Sequence, residues 1–221
     1  MSVMLAGPSS GPDLTTATDS GVLALDNVTN IPSPVFMGSV APQTTVTLFS
    51  SVHGALGTTQ SDLAGVWTFN IATPLAEGHQ VFTASVEDQY GNQSLLSPAT
   101  NVTLDYTSPA LTSIAAAGRD KVNVQFSEAV HGPDLLDPSR YALSGLGQGT
   151  LTSTPDSVTS QSANLLRASW TAGSMTYGGD LEFSFTGTNI TDTAGNSLQI
   201  PAQVQQSGGG LPVAVSEFSV E

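Results

Sequence analysis

Short segments in which apolar and polar residues alternate restrict the fold of this chain more than any other feature. Apolar side chains occupy every second position in residues 66–71 and again in residues 80–88. The second half repeats the pattern in residues 122–126, 166–170 and 181–185. Successive side chains of a β-strand point to opposite faces, so the pattern predicts strands with one buried face.

The spacing of these segments indicates the architecture. They recur about every 8–12 residues with turn residues between them, which is typical of β-sandwiches. The 22 glycines and 13 prolines supply many turns. Only residues 133–143 favour a helical turn or two. We therefore predict an all-β protein of two tandem β-sandwich domains, with Trp67 and Trp170 in the cores.

A break in the pattern at residues 105–109 divides the 221-residue chain. A strand-like run ends there, and Pro109 favours an extended conformation in the residue before it. A glycine run at residues 208–210 is typical of a linker. The predicted parts are a linker at 1–11, a domain at 12–106, a joint at 107–109, a second domain at 110–203, and a linker or the start of a further module at 204–221.

One five-residue pattern, Asp-x-x-Gly-Asn, occurs in each half, at residues 88–92 and 192–196. Each copy follows strand-like sequence. Glycine and asparagine both tolerate left-handed backbone, so each copy predicts a tight turn between strands. A turn repeated at domain spacing is consistent with a repeated domain type.

The charge of the chain excludes some partners. Four Lys and Arg stand against 18 Asp and Glu, for a net charge of −14, and residues 1–118 contain no Lys or Arg. Phosphate binding needs a basic surface, so nucleic acid is not an expected partner. No segment approaches the roughly 20 apolar residues of a membrane span. The chain contains no cysteine, so disulfides and thiol metal sites are absent. It has no signal-like start, and we interpret it as a piece of a longer protein.

A set of segments in the first half occurs together in one order. They are residues 19–21 (Asp-Ser-Gly), 26–30 (Asp-Asn-Val-Thr-Asn), 34–38 (Pro-x-Phe-x-Gly), 45–48, 65–69, 84–92 and 105–109. In combination they resemble the bacterial Ig-like repeats of giant surface adhesins and biofilm-associated proteins. The resemblance covers nearly all of residues 13–105, extends into the joint, and implies an immunoglobulin-like β-sandwich.

The second half carries a different set of segments, at residues 124–130 (Val-Gln-Phe-Ser-Glu-Ala-Val), 141–147, 149–151 and 192–196. With these it is similar to another Ig-like module of bacterial secreted proteins, so that two tandem immunoglobulin-like β-sandwich domains are expected. Together the two resemblances imply extracellular stalk or adhesin modules, often stiffened by Ca²⁺. Expected partners are neighbouring Ig-like repeats in the parent chain and a host or surface ligand. The expected location is extracellular or on the bacterial cell surface.

Oxygen-bearing side chains cluster in the first half and predict calcium sites. Ca²⁺ takes about six to eight oxygen ligands, which acidic loops can supply. Solvated turn residues are the competing interpretation, because Asp and Asn also favour turns. The main candidates lie in the opening loop of the first domain: Asp13, Asp19, Asp26, Asn27 and Asn30.

A second candidate is the joint. We expect Asp105 and the loop that carries Asp88 and Asn92 to lie at one end of the first sandwich and share an ion. The equivalent residues of the second turn, Asp192 and Asn196, form a third candidate. A plain linker and plain turns are the alternatives here.

Motifs for catalysis are weak, and we predict that the chain is not an enzyme. Residues 7–11 match Gly-x-Ser-x-Gly, but no strand precedes them and no helix follows, as a nucleophile elbow requires. His53, His79 and His131 lack the spacing of a zinc site. Asp134 and Asp137 lie in a proline-rich turn without an aromatic sugar platform.

Two classes of function remain. One is a calcium-stiffened spacer in cell adhesion. The other is a binding module that recognises a carbohydrate or receptor, or a non-catalytic appendage of a secreted enzyme. Fold alone does not separate them, because function belongs to sites.

Overall fold

The computed structural model describes residues 5–199 and 202–207. The chain divides after Thr107 into two compact units, which we call unit 1 and unit 2. Each unit is described by itself below.

Unit 1 contains eight strands in the described residues. They are β1 Asp13–Leu14, β2 Val28–Thr29, β3 Val35–Ser39, β4 Thr45–Ser50, β5 Gly54–Gln60, β6 Val66–Asn70, β7 Gly78–Glu87 and β8 Thr100–Leu104.

These strands form two sheets, in the orders β1-β3-β6 and β2-β8-β7-β4-β5. All pairings are antiparallel except that of β2 with β8. One core joins the sheets, since Phe36 of β3 and Phe82 of β7 have ring centroids 4.5 Å apart. Both rings are fully buried, and burial of such a side chain contributes about 1.5–3 kcal/mol. Unit 1 is therefore a β-sandwich held mainly by alternating apolar side chains.

Unit 2 contains seven strands in the described residues. They are β9 Leu111–Gly118, β10 Lys121–Phe126, β11 Tyr141–Ser144, β12 Ser157–Ser162, β13 Leu165–Ser169, β14 Leu181–Phe185 and β15 Ala202–Gln206. Three short 3-10 helices accompany them, at Pro133–Leu136, Pro138–Arg140 and Leu146–Gln148.

The sheets of unit 2 have the orders β12-β13-β10-β9 and β11-β14-β15. Their inner faces share one apolar core, in which Tyr141 of β11 lies 4.9 Å from Phe185 of β14, measured between ring centroids. Leu166 and Val124 contribute to this core from the other sheet. Unit 2 is thus a second sandwich with its own core.

The predicted all-β, immunoglobulin-like fold class is confirmed. The alternating segments are strands with one buried face, and Trp67 and Trp170 are 3% and 2% exposed. The helical turns expected in residues 133–143 are the first two 3-10 helices.

The sequence placed the start of a linker at residue 204, and the structure corrects this. Strand β15 pairs with β14 up to Gln206, which lies opposite Leu181. Residues 204–206 therefore belong to a sheet. A polar strand of this kind carries little alternation, so pattern alone did not mark it. The predicted glycine linker at residues 208–210 lies outside the described residues.

Candidate metal site

The opening loop of unit 1 runs from the end of β1 to β2 and folds back on itself. The N–H groups of Thr18 and Asp19 both donate to the carbonyl of Thr15, at 2.8 and 2.9 Å. The N–H of Gly21 donates to the carbonyl of Val28 at 3.1 Å. These turns bring residue 19 beside residues 26–28, although seven or more residues separate them in sequence.

Asp19 is the buried acid of this loop, with 5% of its surface exposed. Its Oδ2 accepts a hydrogen bond from the backbone N–H of Asn27 at 3.4 Å. Its Oδ1 and the Oδ1 of Asn27 are both buried and have no hydrogen-bond partner among the residues described. Asp19 and Asn27, which are neighbours in space, thus each have one buried side-chain oxygen without a hydrogen-bond partner in the described residues.

Two further carboxylates surround Asp19. Burial raises the pKa of Asp19, and the charges of Asp26 and Asp13 raise it further. Asp26 accepts from the N–H of Val28 at 3.1 Å, and Asp13 accepts from the N–H of Leu14 at 3.1 Å. Asp13, Asp26 and Asn27 therefore lie near Asp19, but in the described residues the oxygens of the three carboxylates are not all within 4.8 Å of one another.

Asn30 has a different role in the loop. Its side-chain oxygen accepts from the hydroxyl of Ser20 at 2.8 Å, and its N–H donates to the same hydroxyl at 2.8 Å. This reciprocal pair fastens the two sides of the loop. The oxygen of Asn30 is therefore engaged in a structural contact, unlike that of Asn27.

A surface cleft of unit 1 borders this loop. It has a volume of about 410 Å³, and its walls include Asp13, Asn27 and Gly38. Asn27 therefore contacts a cleft, although its Oδ1 atom and that of Asp19 are buried.

The two Asp-x-x-Gly-Asn turns have the same internal hydrogen bonds. In the first, the carboxylate of Asp88 accepts from the N–H and the Nδ2 of Asn92, at 2.9 and 2.8 Å. In the second, Asp192 accepts from the same two groups of Asn196, also at 2.9 and 2.8 Å. Gly91 and Gly195 have φ angles of 79° and 94°, which glycine adopts without strain. The predicted tight turns are present.

Each of these turns closes a short antiparallel bridge. Glu87 pairs with Gln93 around the first turn, and Thr191 pairs with Ser197 around the second. Hydrogen bonds from Asn92 hold the pKa of Asp88 below its usual range. Asp192 is fully buried. The acids in both turns thus orient the backbone, which is the simpler interpretation of the motif.

The expected sharing of an ion between Asp105 and the Asp88 loop is wrong. Strand β7 has ten residues, and its first residue, Gly78, pairs with Leu104 of β8. Asp105 therefore lies at the start of β7, whereas Asp88 and Asn92 follow its end. At about 3.3 Å per residue, about 30 Å separates the two positions.

Glu77 is the neighbour of Asp105 in unit 1, and the sequence did not indicate it. Hydrogen bonds from the Thr107 hydroxyl and the Tyr106 N–H lower the pKa of Glu77, and a hydrogen bond with the Asp105 carboxyl lowers it further. Asp105 also accepts from the N–H of Thr107 at 3.1 Å. Only the pairing of β7 with β8 brings these acids together, because 28 positions separate them in sequence.

Within the described residues, the serine-containing match at residues 7–11 follows only an isolated β-bridge at Leu5 and leads into β1 rather than a helix. It is therefore not a nucleophile elbow. In the described part of the chain, none of the three histidines joins a group of three or more possible metal ligands.

The aspartates of the proline-rich turn support local structure. Asp134 accepts from the N–H groups of Thr188 and Asn189 at 3.1 and 3.2 Å and lies 3.7 Å from the Arg140 guanidinium. Asp137 accepts from the N–H of Ser139 at 3.0 Å at the start of a 3-10 helix. Both carboxylates therefore hold the backbone of this turn.

The surface of unit 1 has one further cleft of note. Its volume is about 220 Å³, and His53, Leu56 and Phe69 contribute to its walls.

Tyr90, at the tip of the first Asp-x-x-Gly-Asn turn, is 80% exposed.

A family comparison covers the first unit. Residues 6–106 match the family model described as a bacterial Ig-like domain. The match spans nearly all of unit 1 and less than half of the whole chain. The resemblance drawn from the sequence is therefore confirmed over these residues, and the Asp19 loop lies inside the matched region. A comparison with curated proteins gives no significant match.

Solved structures that are similar to the chain share little sequence with it. A biofilm-associated protein BSP domain has 12% identity and a TM-score of 0.27, and the match covers 84% of this chain and 29% of that one. The fibronectin(III)-like modules of Clostridium thermocellum CbhA have 13% identity and a TM-score of 0.33, with 95% and 99% covered. The FN1–FN3 domains of chicken CNTN1 have 7% identity and a TM-score of 0.33, with 92% and 66% covered.

The chain thus spans less than a third of the biofilm-associated structure that it matches. No helix in the described residues has the length and apolar character needed to cross a membrane.

Proposed function

We propose that this chain is a pair of structural modules from a bacterial cell-surface or secreted protein. They act as a spacer in cell adhesion, and bound Ca²⁺ stiffens them. The family of residues 6–106, a bacterial Ig-like domain, carries the proposal. Neighbouring Ig-like repeats in the parent chain are the expected partners, and no catalytic step is assigned to the chain.

The use of polar side chains supports a structural role. Asp88 and Asp192 hold matched turns, and Asp134 and Asp137 hold the backbone of a third. Asp62 does the same between β5 and β6, where it accepts from the N–H of Val66 at 2.8 Å. Acids in these positions stabilise turns, which is consistent with a structural role.

The charge supports calcium as the stiffening agent. A net charge of −14 produces repulsion within a compact fold, and unit 1 has no Lys or Arg to reduce it. Divalent cations reduce such repulsion and bridge loops.

A length-matched replacement tests the spacer role. In the parent protein, residues 1–221 are deleted, or replaced by an unrelated pair of Ig-like sandwiches of equal length. A spacer predicts that deletion lowers adhesion of the producing cells and that the unrelated pair restores it. Antibodies against this chain should label intact cells. Adhesion that the unrelated pair cannot restore would contradict the spacer role.

The second candidate is a binding module, favoured by the cleft beside Phe69 and His53 in unit 1. The same replacement experiment distinguishes a spacer from a binding module. If recognition of a carbohydrate or receptor is the function, only the original sequence restores adhesion, and Phe69→Ala removes it while unit 1 remains folded.

A further inference from the structure

We propose that residues 22–25, with the sequence Val-Leu-Ala-Leu, form a docking surface for another protein, whose own surface has an apolar pocket with Lys or Arg side chains at its rim. We call these residues the apolar tip. The inference goes beyond the spacer role, which needs no exposed apolar surface, and does not depend on it.

The first argument is the exposure of the apolar tip. Val22, Leu23 and Leu25 are 51%, 65% and 82% exposed, and Ala24 between them is also exposed. Single apolar side chains at a surface are ordinary. A consecutive run of exposed apolar residues is unfavourable in water unless another molecule covers it. The run therefore indicates a surface that docks.

The second argument is that hydrogen bonds hold the base of the loop. The N–H of Gly21 donates to the carbonyl of Val28 at 3.1 Å, and these two residues lie on either side of the apolar tip. Ser20 and Asn30 exchange two hydrogen bonds of 2.8 Å just outside them. The apolar tip is therefore a short projection from a fixed base. Docking of such a projection orders few residues, so the entropy cost of binding is small.

The third argument is the charge beside the apolar tip. Asp26 follows Leu25 directly, and Asp19 lies close to the charges of both Asp26 and Asp13. Residues 1–118 contain no Lys or Arg. A surface that covers Leu25 must therefore come close to the carboxylate of Asp26, and burial of an unpaired charge is costly. A Lys or Arg at the rim of the partner's pocket removes this cost and makes the two surfaces complementary.

The same charges argue against two other occupants. A second copy of the chain has the same net charge of −14, so repulsion opposes its approach. Anionic lipid surfaces attract basic segments and repel an acidic one. Insertion of Leu25 into uncharged lipid would bring the carboxylate of Asp26 to an apolar phase that offers no cation.

A model peptide with the two features of the partner tests the proposal. The probe is a helical peptide of leucine and lysine, with leucine on one face and lysine on the other. One control peptide has serine in place of leucine, and a second has glutamate in place of lysine. The whole chain is titrated in chelator at an ionic strength of roughly 0.15 M, which screens loose attraction between distant charges. The leucine–lysine peptide should bind most tightly and should shift the amide NMR signals of residues 20–27.

Variants locate the contact. Leu23→Ser combined with Leu25→Ser should weaken binding at least about tenfold, because burial of one leucine contributes more than a tenfold change in affinity requires. Leu63→Ser is the matched control, since Leu63 is 81% exposed in a different turn of unit 1. The melting temperatures of these variants should stay equal to that of the unmodified chain, because the altered side chains are exposed.

A second pair of variants tests the charged rim. Asp26→Asn keeps an acceptor for the N–H of Val28 and should weaken binding by about two- to fivefold, the range of a surface ion pair. Asp62→Asn, in a turn away from the apolar tip, should have no effect.

The results separate the alternatives. Binding that requires Leu23 and Leu25, and that both control peptides lack, supports the proposal. It is overturned if no signal of residues 20–27 shifts at about 1 mM peptide, a concentration that detects even weak complexes. Equal binding by the double variant or by the serine–lysine peptide would also overturn it, since charge alone would then explain the contact. Preferential binding of phosphatidylcholine vesicles would assign the apolar tip to lipid, and self-association lost in the double variant would assign it to a second copy; either result contradicts the proposal.

Discussion

At the scale of single residues, the aspartates of this protein have different roles, and the environment of each side chain determines its role. Asp62, Asp88 and Asp156 accept backbone N–H groups at the surface and stabilise turns. Asp19 is buried beside other acids and lacks such partners for one oxygen. The same residue type is therefore a turn former in one place and a candidate cation ligand in another.

The pKa of Asp156 should make the stability of unit 2 depend on pH. The hydroxyl and N–H of Thr171 donate to its Oδ2 at 2.7 and 2.6 Å and hold its pKa below the usual range. A lowered pKa stabilises the fold above the unfolded value of about 3.9 and loses this effect as pH falls through the folded value. Asp156→Asn should therefore destabilise unit 2 at pH about 7, and the difference should vanish at low pH.

Denaturant unfolding at several pH values checks this, together with an NMR titration of the carboxyl. Thr171→Val should move the pKa of Asp156 toward its usual value. Thr159→Val, a change on the exposed face of β12, should not. A carboxyl that titrates in its ordinary range in the unmodified chain would be inconsistent with this reasoning.

The two matched turns should differ in their sensitivity to loss of the aspartate. Asp192→Ala leaves the N–H and Nδ2 of Asn196 without the buried acceptor that they use, which costs about 1–3 kcal/mol. Asp88→Ala should cost less, because water can replace the carboxylate at that partly exposed turn. Urea unfolding in chelator measures both, so that no cation effect is included. Equal losses in the two variants would show that burial does not decide the difference.

At the scale of elements, strand register decides which side chains meet. Gly38 of β3 lies opposite Trp67 of β6, and the indole covers the space above the glycine. A Cβ at this position would lie 2.8 Å from the indole carbon Cζ2 of Trp67. The Pro-x-Phe-x-Gly segment therefore ends in glycine for a reason of packing between neighbouring strands.

Gly38→Ala should destabilise unit 1 by about 1–3 kcal/mol, because the buried indole must move to admit the methyl group. Ser39→Ala, the next position on the same strand, is exposed and should change stability little. Thermal unfolding and near-ultraviolet circular dichroism measure the effect. A Gly38→Ala protein as stable as the unmodified chain would show that the indole relaxes freely.

At the scale of the whole molecule, each unit has a core made from its own residues. The core of unit 1 is formed by residues such as Phe36, Phe82 and Leu104, and that of unit 2 by residues such as Phe126, Tyr141 and Phe183. Buried apolar surface supplies most of the stability of a small domain. The division after Thr107 should therefore leave two polypeptides that can each fold.

Residues 1–107 and 108–221, expressed separately, should each give a β-type circular dichroism spectrum, dispersed NMR signals and a cooperative melting transition. The full chain, measured beside them, is the reference for both. If either piece remains unfolded under conditions where the full chain is folded, its core is not sufficient and the division is wrong.

Much of the fold follows from the sequence alone, because its causes are local. The alternation in residues 80–88 and 122–126 determines which side chains of β7 and β10 are buried, and the Asp-x-x-Gly-Asn pattern determines two turns through hydrogen bonds within five residues. The core positions of Trp67 and Trp170 followed from the same alternation. The acidic loop was also visible as a set of oxygen donors close in sequence.

The tertiary structure alone decided which distant residues meet. It placed Asp88 and Asp105 at opposite ends of β7, put Glu77 beside Asp105, and added residues 204–206 to a sheet. It also buried Asp19 while leaving one of its oxygens and that of Asn27 without a partner. Contacts between segments far apart in the chain determine strand pairing, strand direction and the burial of a loop. The periodicity within one segment does not predict these contacts.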